Sequence, residues 1–152
     1  MQTFLPSDDF AESARVLDSR RLGKQRVEAL QIFRAITRPQ YGWRNHPAVR
    51  MWRRYEEALV AYGLAICDEW VSRGHGDTVR GKLLEEWAAW SGESTVRSQE
   101  ALAAAGRLPP WLGNPDFHRS HQSALLRKDR DAYAAHFPTV PDDLPYHWPA
   151  PA

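Results

Sequence analysis

The chain has 152 residues, with 20 Lys or Arg against 19 Asp or Glu and a net charge of +1. That length fits one domain, residues 1–152, which is large enough to bury a core without metals or disulfides. No apolar run approaches the roughly 20 residues that a membrane span needs. The N-terminus lacks a signal-peptide pattern, and Cys67 is the only cysteine. These features predict a soluble cytoplasmic protein, with no membrane association, in a reducing compartment.

Helical periodicity dominates the sequence, and no segment alternates with the period of a half-buried strand. We therefore predict an all-α fold, a compact single-domain helical bundle with an extended Pro-rich C-terminal tail over residues 138–152. Tyr146 and Trp148 give that tail something to pack with. In chain order, we predict a short helix from Ser7 or Asp8, a helix capped by Asp18 that runs to about Thr37, and a long helix from Asn45 or His46 to Gly74. Two further helices are predicted over residues 78–90 and 96–105. A last helix starts at Asn114 and continues through Tyr133.

Positive charge is concentrated in one part of the chain. Residues 15–54 contain eleven Lys or Arg and two acids. Such an excess repels itself unless a polyanion neutralises it. Seventeen of the 20 cations are arginine, whose planar guanidinium suits phosphate. The block therefore predicts a polyanion-binding surface.

The first long helix, in the segment "RVLDSRRLGKQRVEALQ", carries a lone glutamate among cations. Arg21, Lys24, Gln25 and Glu28 recur at spacings of three and four, so we expect them to share a face opposite the apolar one. Nearby cations would keep the Glu28 carboxylate ionised. The same spacing also suits an ordinary surface ion pair between Lys24 and Glu28, worth about 0.3 kcal/mol.

Two further segments carry candidate phosphate ligands. In "YGWRNHPAVRMWRR", a helix N-terminus with unpaired backbone N–H groups would attract an anion, and the two tryptophans, Trp43 and Trp52, are predicted to lie in the core. In "FHRSHQSALLRKD", His118 shares a face with His121 or Gln122. These histidines fit contacts with a nucleic-acid backbone, a structural role, or a metal site that would need His46 or a distant acid as third ligand.

No motif for a side-chain nucleophile is present. The sequence has no serine-centred elbow, no phosphate-binding glycine loop and no Cys-x-x-Cys pair, and Cys67 lies within a predicted helix, where we expect it to be buried. An α-amine needs no motif. It is less basic than a lysine, so more of it is neutral and nucleophilic near neutral pH.

These residues resemble the pyrimidine-dimer DNA glycosylase family of the phage endonuclease V type, particularly its bacterial branch. The resemblance rests on "RVLDSRRLGKQRVEALQ", "YGWRNHPAVRMW", "FHRSHQSALLRKD" and "VPDDLPYHWP". It implies an all-α protein that binds double-stranded DNA, flips a base and cuts the glycosidic bond without a metal or other cofactor. The N-terminal α-amine attacks the sugar and forms an imine that permits strand cleavage, and a glutamate on the first long helix stabilises the sugar.

Carried onto this sequence, the resemblance implies Met1 and Glu28 as the catalytic residues. The bulk of Gln2 is expected to prevent removal of Met1, and Gly23 stands where the phage enzyme has its glutamate, so Glu28 is its expected replacement. The predicted DNA-binding residues are Arg20, Arg21, Lys24, Arg44, Asn45, His46, Arg50, Arg53, His118, Arg119, His121, Gln122, Arg127 and Lys128. Two alternatives remain open: a DNA-binding module without catalysis, and a metal-dependent phosphohydrolase using His46, His118 and His121.

Overall fold

The computed structural model describes residues 1–150, and this part of the chain contains eight helices and no strand. The prediction of an all-α fold is confirmed. The two last residues of the expected tail, 151 and 152, lie outside the described residues. The helices are α1 (Phe10–Val16), α2 (Ser19–Thr37), α3 (Pro47–Arg50), α4 (Glu56–Ser72), α5 (Val79–Ser91), α6 (Gln99–Ala104), α7 (Pro115–Lys128) and α8 (Arg130–Tyr133).

Polar caps in the sequence define several helix starts. The Asp9 side chain accepts a hydrogen bond from the Glu12 N–H at 2.8 Å and begins α1. Asn114, followed by a proline, does the same for α7 through the N–H of Asp116 at 2.9 Å. These side chains satisfy N–H groups that have no partner within the helix. The starts of α2 and α7 were predicted correctly, and α1 begins slightly later than predicted.

The prediction of one long helix from the His46 region to Gly74 is wrong. The chain breaks between α3 and α4 at Arg54, which has a left-handed φ of 76°. The Arg54 N–H donates a hydrogen bond to the carboxylate of Glu56 at 3.0 Å, and α4 starts at that residue. Neither Gly nor Pro marks the break, so local sequence rules do not reveal it.

The hydrophobic core surrounds α4, which packs against α1, α2 and α5. Burial of each large apolar side chain contributes about 2 kcal/mol. Trp52 is fully buried as predicted, but Trp43 is 62% exposed, so its predicted core position is wrong. The largest fully buried aromatic side chains are Phe10, Phe33, Trp52, Tyr62, Phe117 and Tyr133.

Candidate active site

The N-terminal segment runs through the protein interior. Residues 2–6 are buried and belong to no helix or strand, and the buried residues include the polar side chains of Gln2 and Thr3, which are 5% and 0% exposed. A segment outside helices and strands has no regular series of backbone hydrogen bonds. Its buried N–H and C=O groups therefore need partners on side chains.

Gln25 on α2 and Tyr62 on α4 provide three of those partners. The Gln25 Oε1 accepts a hydrogen bond from the Phe4 N–H at 2.9 Å, and its Nε2 donates to the Gln2 carbonyl at 2.6 Å. The Tyr62 hydroxyl donates to the Phe4 carbonyl at 2.7 Å. Gln25 is 1% exposed, so its predicted position on the surface is wrong, although it lines one cavity together with Arg21, Lys24 and Glu28.

The two histidines of α7 hold the next residue of the segment. The Nδ1 of His121 accepts a hydrogen bond from the Leu5 N–H at 2.9 Å. The Nε2 of His118 accepts one from the Gly113 N–H at 2.8 Å, so its protonated Nδ1 donates to the Leu5 carbonyl at 2.7 Å. Burial lowers the pKa of His121 to about 3 and also lowers that of His118, so both rings are neutral near pH 7.

Gln122 completes this group, because its Nε2 donates to the Pro6 carbonyl at 2.8 Å. We call Gln25, Tyr62, His118, His121 and Gln122 the N-terminal clamp. The prediction that the two histidines contact DNA is wrong, because His118 is 7% and His121 0% exposed and both rings are hydrogen-bonded to backbone groups. The Gln122 amide is likewise used within the protein.

A cavity of about 500 Å³ opens beside the start of the clamped segment. Four cationic side chains and one carboxylate lie around it together with the first residue of the chain. The lining residues are Met1, Gln2, Phe4, Arg20, Arg21, Lys24, Gln25, Glu28, Lys128 and Tyr146. Two distant predicted segments, on α2 and α7, thus meet at Met1.

Among residues 1–150, Glu28 is the only acid in the lining of this cavity. Its Oε2 accepts a hydrogen bond from the Gln2 N–H at 3.3 Å, and its Oε1 lies 3.6 Å from the Lys24 Nζ. The Glu28 side chain is 13% exposed, whereas that of Lys24 is 77% exposed. The Lys24 to Glu28 pair predicted from spacing is therefore present, and the carboxylate also contacts the peptide next to the α-amine.

Position 23 has no room for the family's glutamate, because α2 packs closely against α4 at Gly23. A Cβ at position 23 would lie 2.9 Å from the ring of Trp70, too close for any real contact. The guanidinium of Arg26 also covers that ring, 4.6 Å from its centroid. A side chain at position 23 would therefore have to displace a packed tryptophan.

The C-terminal tail is fixed to α7 and closes one side of the cavity. The Ser123 hydroxyl accepts a hydrogen bond from the Leu144 N–H at 3.0 Å. Arg127 donates to the carbonyls of Asp142 and Leu144 at 2.9 and 2.7 Å. Arg127, which was predicted to bind DNA, is exposed, and its Nη1 also holds the tail. As a result, Tyr146 lies in the wall of the cavity.

An aromatic series connects this wall with the segment before α3. The ring of Tyr146 lies 5.4 Å from that of Trp148, and Trp148 lies 5.9 Å from His46. Burial is the first cause that lowers the pKa of His46, the α-amine adds to the effect, and Glu28 opposes it. His46 therefore lies within electrostatic range of both candidate catalytic groups. Its Nδ1 caps α3 by accepting from the Ala48 N–H at 3.0 Å.

Part of the basic block is neutralised within the protein. Arg34 and Arg38 pair with Glu86 at 2.6 and 2.9 Å, Arg26 pairs with the buried Asp77, and Arg21 pairs with Asp18 at 3.1 Å. The predicted need for an external polyanion therefore applies only to those cations of the block that have no acidic partner within residues 1–150. Among residues 15–54, the cations without an acidic partner are Arg20, Arg44, Arg50, Arg53 and Arg54.

The remaining predicted DNA ligands are at the surface. Arg20, Lys24 and Lys128 are exposed at the cavity, where Arg21 is partly buried; we call these four residues the cationic rim. A second exposed group lies outside it. That group is Arg44 and Asn45 before α3, Arg50 on α3, and Arg119 on α7, with Arg53 partly buried beside Arg44.

The three histidines proposed as metal ligands do not come together in one site. Within residues 1–150, no cluster of three or more His, Cys, Asp or Glu side chains is arranged to hold a metal ion. His118 and His121 both use their Nδ1 atoms on Leu5. The metal-dependent alternative therefore has no ligand set in the part of the chain described.

None of the helices within residues 1–150 is long and apolar enough to cross a membrane.

Sequence reasoning missed the N-terminal clamp and the closure of the cavity by the tail. A buried glutamine cannot be distinguished from a surface one by helical spacing alone. One signal was available: "MQTFLP" is mostly apolar yet precedes the first helix, so its backbone groups had to find partners elsewhere.

Comparison with known protein families gives one match. The sequence model of the family described as pyrimidine dimer DNA glycosylase matches residues 1–82, more than half of the chain. The matched part includes Met1, Glu28 and the segment before α3. It also includes the three residues of the cationic rim that lie on α2, which are Arg20, Arg21 and Lys24. Comparisons with the curated proteins and with the solved structures gave no match.

Proposed function

The chain belongs to the pyrimidine dimer DNA glycosylase family, and from this premise we propose that it excises damaged bases from double-stranded DNA with the Met1 α-amine as nucleophile. The family assignment itself supports DNA glycosylase-type repair. The nucleophile, the role of Glu28 and a subsequent strand cleavage are the finer parts of the proposal.

One observation carries this proposal: Met1 and Glu28 line the same cationic cavity, and the Glu28 carboxylate accepts a hydrogen bond from the Gln2 N–H at 3.3 Å. The peptide that bears the α-amine is therefore held directly beside the carboxylate. The N-terminal clamp supports the same assignment, because polar side chains of α2, α4 and α7 form hydrogen bonds that fix the residues after the amine. Fixing a reacting group in advance lowers the entropy cost of the reaction.

The proposed reaction uses groups of this chain only. The neutral amine attacks C1′ of the damaged nucleotide, the glycosidic bond breaks, and the base leaves with its electron pair and then takes up a proton. The attached amine loses a proton, the bond between C1′ and the ring oxygen O4′ breaks to give a protonated imine between C1′ and Met1, and O4′ takes up a proton to become a hydroxyl. Loss of a proton from C2′ then expels the 3′ phosphate, and water releases the sugar from the amine. The Glu28 carboxylate stabilises the positive charge on the sugar as the base departs.

We further propose that the cationic rim binds the phosphates that flank the damaged nucleotide. Arg20, Arg21, Lys24 and Lys128 surround the cavity, while Arg44, Asn45, His46, Arg50, Arg53 and Arg119 extend the surface. DNA binding by such a surface releases condensed counterions, so the affinity should fall as salt rises. Arg20→Ala should flatten that salt dependence by roughly one phosphate contact. Arg80→Ala is the matched control, because Arg80 is paired with Asp68 at 2.8 Å.

The function is tested with duplexes that contain a single pyrimidine dimer. We expect release of the base from its sugar, measured on a labelled strand, and no release from an undamaged duplex. Binding without base release on the dimer and on a panel of other lesions would contradict the glycosylase. It would instead support the alternative of a DNA-binding module without catalysis.

A further inference from the structure

Trp43 is the most exposed large hydrophobic side chain among the described residues, with 62% of its surface accessible. Its backbone has a φ of 70°, in the left-handed region that bulky residues rarely adopt. Such a conformation costs about 1–2 kcal/mol. Strain of this kind persists where the surrounding structure enforces it, and it is concentrated at functional sites.

Hydrogen bonds on both sides hold this residue in its strained conformation. The Trp43 carbonyl accepts from the His46 N–H at 2.9 Å. The guanidinium of Arg44 donates to the carbonyl of Pro39, and that of Arg53 donates to the carbonyl of Arg44. We call residues 39–46 the Trp43 loop. These hydrogen bonds brace the loop while the indole ring of Trp43 remains exposed.

The Trp43 ring is joined to the wall of the cavity. It meets the ring of His46 edge to face at 5.9 Å, and His46 meets Trp148 in the same way at 5.9 Å. Trp148 adjoins Tyr146, which lines the cavity with Met1 and Glu28. The exposed ring therefore stands at the outer end of an aromatic series that leads to the candidate site.

The charge around Trp43 favours a nucleic acid over an apolar protein surface. Arg44 follows it directly, Arg53 contacts the same loop, and neither is paired with an acid in residues 1–150. By contrast, the other exposed tryptophan, Trp90, is 48% exposed and packs edge to face on Phe33 at 6.1 Å. An exposed aromatic ring flanked by unpaired arginines is the usual arrangement for stacking on a nucleobase next to backbone phosphates.

We propose that Trp43 stacks on an unpaired base of the bound duplex, next to the nucleotide that enters the cavity. Extrusion of one nucleotide leaves a neighbouring or opposite base without a partner. The indole ring covers that base, while Arg44 and Arg53 contact the adjacent phosphates. Trp43 is then a positioning residue that favours damaged over intact DNA. This inference rests on the proposed function, because it takes the bound ligand to be duplex DNA with a displaced nucleotide.

The test compares affinity for two duplexes that differ at one position. One is fully paired, and the other carries a tetrahydrofuran abasic analogue, which leaves one base unpaired and cannot form an imine. The measured quantity is the ratio of the two dissociation constants. Trp43→Ala should reduce the preference for the analogue about tenfold, within the range measured for loss of one stacking contact. Trp43→Phe should retain most of the preference, and Trp90→Ala should leave it unchanged.

Two results would overturn the inference. An unchanged preference in Trp43→Ala, whether or not both affinities fall equally, or an equal effect of Trp90→Ala would each exclude stacking on an unpaired base by Trp43. Failure of the proposed function would look different. In that case the wild-type protein itself would not prefer the analogue and would release no base from damaged DNA.

Discussion

The backbone N–H of Gln2 donates a hydrogen bond to Oε2 of Glu28 over 3.3 Å. The two residues are 26 positions apart in sequence, and the contact joins the first peptide of the chain to the middle of α2. It brings the carboxylate to the peptide bond that follows the candidate nucleophile, and Lys24 lies on the other side of the carboxylate at 3.6 Å. A neutral glutamine at position 28 can accept the same hydrogen bond. The substitution therefore removes the negative charge and keeps the contact with the Gln2 N–H.

Glu28→Gln should slow base release about 100-fold, because it removes charge that stabilises the developing cation on the sugar. Duplex affinity should be unchanged or tighter, since the variant removes a carboxylate that repels phosphate. Single-turnover base release and the dissociation constant measure the two effects separately. Glu12→Gln, at a surface residue paired with Arg15, is the control and should behave as wild type. Equal rates in Glu28→Gln and wild type would refute the assigned role.

Gln25→Leu should destabilise the protein by about 2–5 kcal/mol, because it leaves the Phe4 N–H and the Gln2 carbonyl buried without partners. Denaturant unfolding measures this loss. Gln31→Leu on the same helix is the control, because Gln31 is only partly buried and has no comparable hydrogen bond among residues 1–150. A Gln25→Leu variant as stable as this control would show that the N-terminal clamp contributes little.

The free energy of unfolding should fall as the pH drops from 7 to 5. The pKa of buried His121 is about 3 in the folded protein, against about 6.5 for an unfolded histidine. Above pH 6.5 neither state binds the proton, and below it only the unfolded state does, so each pH unit costs up to about 1.4 kcal/mol. The loss from His121 by pH 5 is therefore about 2 kcal/mol, and the lowered pKa of His118 acts in the same direction.

Denaturant unfolding at several pH values tests this expectation. His121→Gln should flatten the pH dependence, because glutamine can accept the hydrogen bond of the Leu5 N–H but does not titrate. His136→Gln should leave the dependence unchanged, since His136 is exposed. If both variants keep the wild-type slope, the pH dependence has another source.

Glycine and alanine at position 43 should differ in stability. Both remove the indole, but only glycine adopts a φ of 70° without strain. Trp43→Gly should therefore be more stable than Trp43→Ala by about 1 kcal/mol. The same pair at Trp90, within α5, should have the opposite order, because glycine weakens a helix. The same order at both positions would contradict the strained conformation of the Trp43 loop.

The helices could be predicted from the sequence to the extent that local signals define them. Asp18, Pro47 and Asn114 mark the starts of α2, α3 and α7, and Asn114 caps its helix through local hydrogen bonds. The side chain of Asp18 makes no capping hydrogen bond and accepts instead from Arg21 and Tyr133. The break at Arg54 has no such signal, because the left-handed φ of 76° falls at a residue that is neither Gly nor Asn. The exposure of Trp43 is equally a tertiary property: a tryptophan beside a helix start is usually buried.

The candidate site was only partly predictable for a similar reason. Helical spacing correctly grouped Lys24 with Glu28, and their contact is present at 3.6 Å. The spacing could not reveal that Gln25 turns inward to hold the N-terminal segment, nor that His118 and His121 face Leu5 across 113 and 116 residues of sequence. The contact of Arg127 with carbonyl groups of the tail could not be predicted either, because backbone acceptors carry no sequence signal.

Trapping the imine tests most directly whether the Met1 α-amine is the nucleophile. Duplex DNA with an abasic site is incubated with the protein in the presence of borohydride, which reduces an imine to a permanent link between protein and DNA. We expect a covalent adduct whose peptide map assigns the sugar to the amine of Met1, and we expect none after the α-amine is blocked by reductive methylation at low pH or by an added N-terminal residue. A full yield of adduct from the blocked protein, or an adduct mapped to a lysine such as Lys24 or Lys128, would contradict the account.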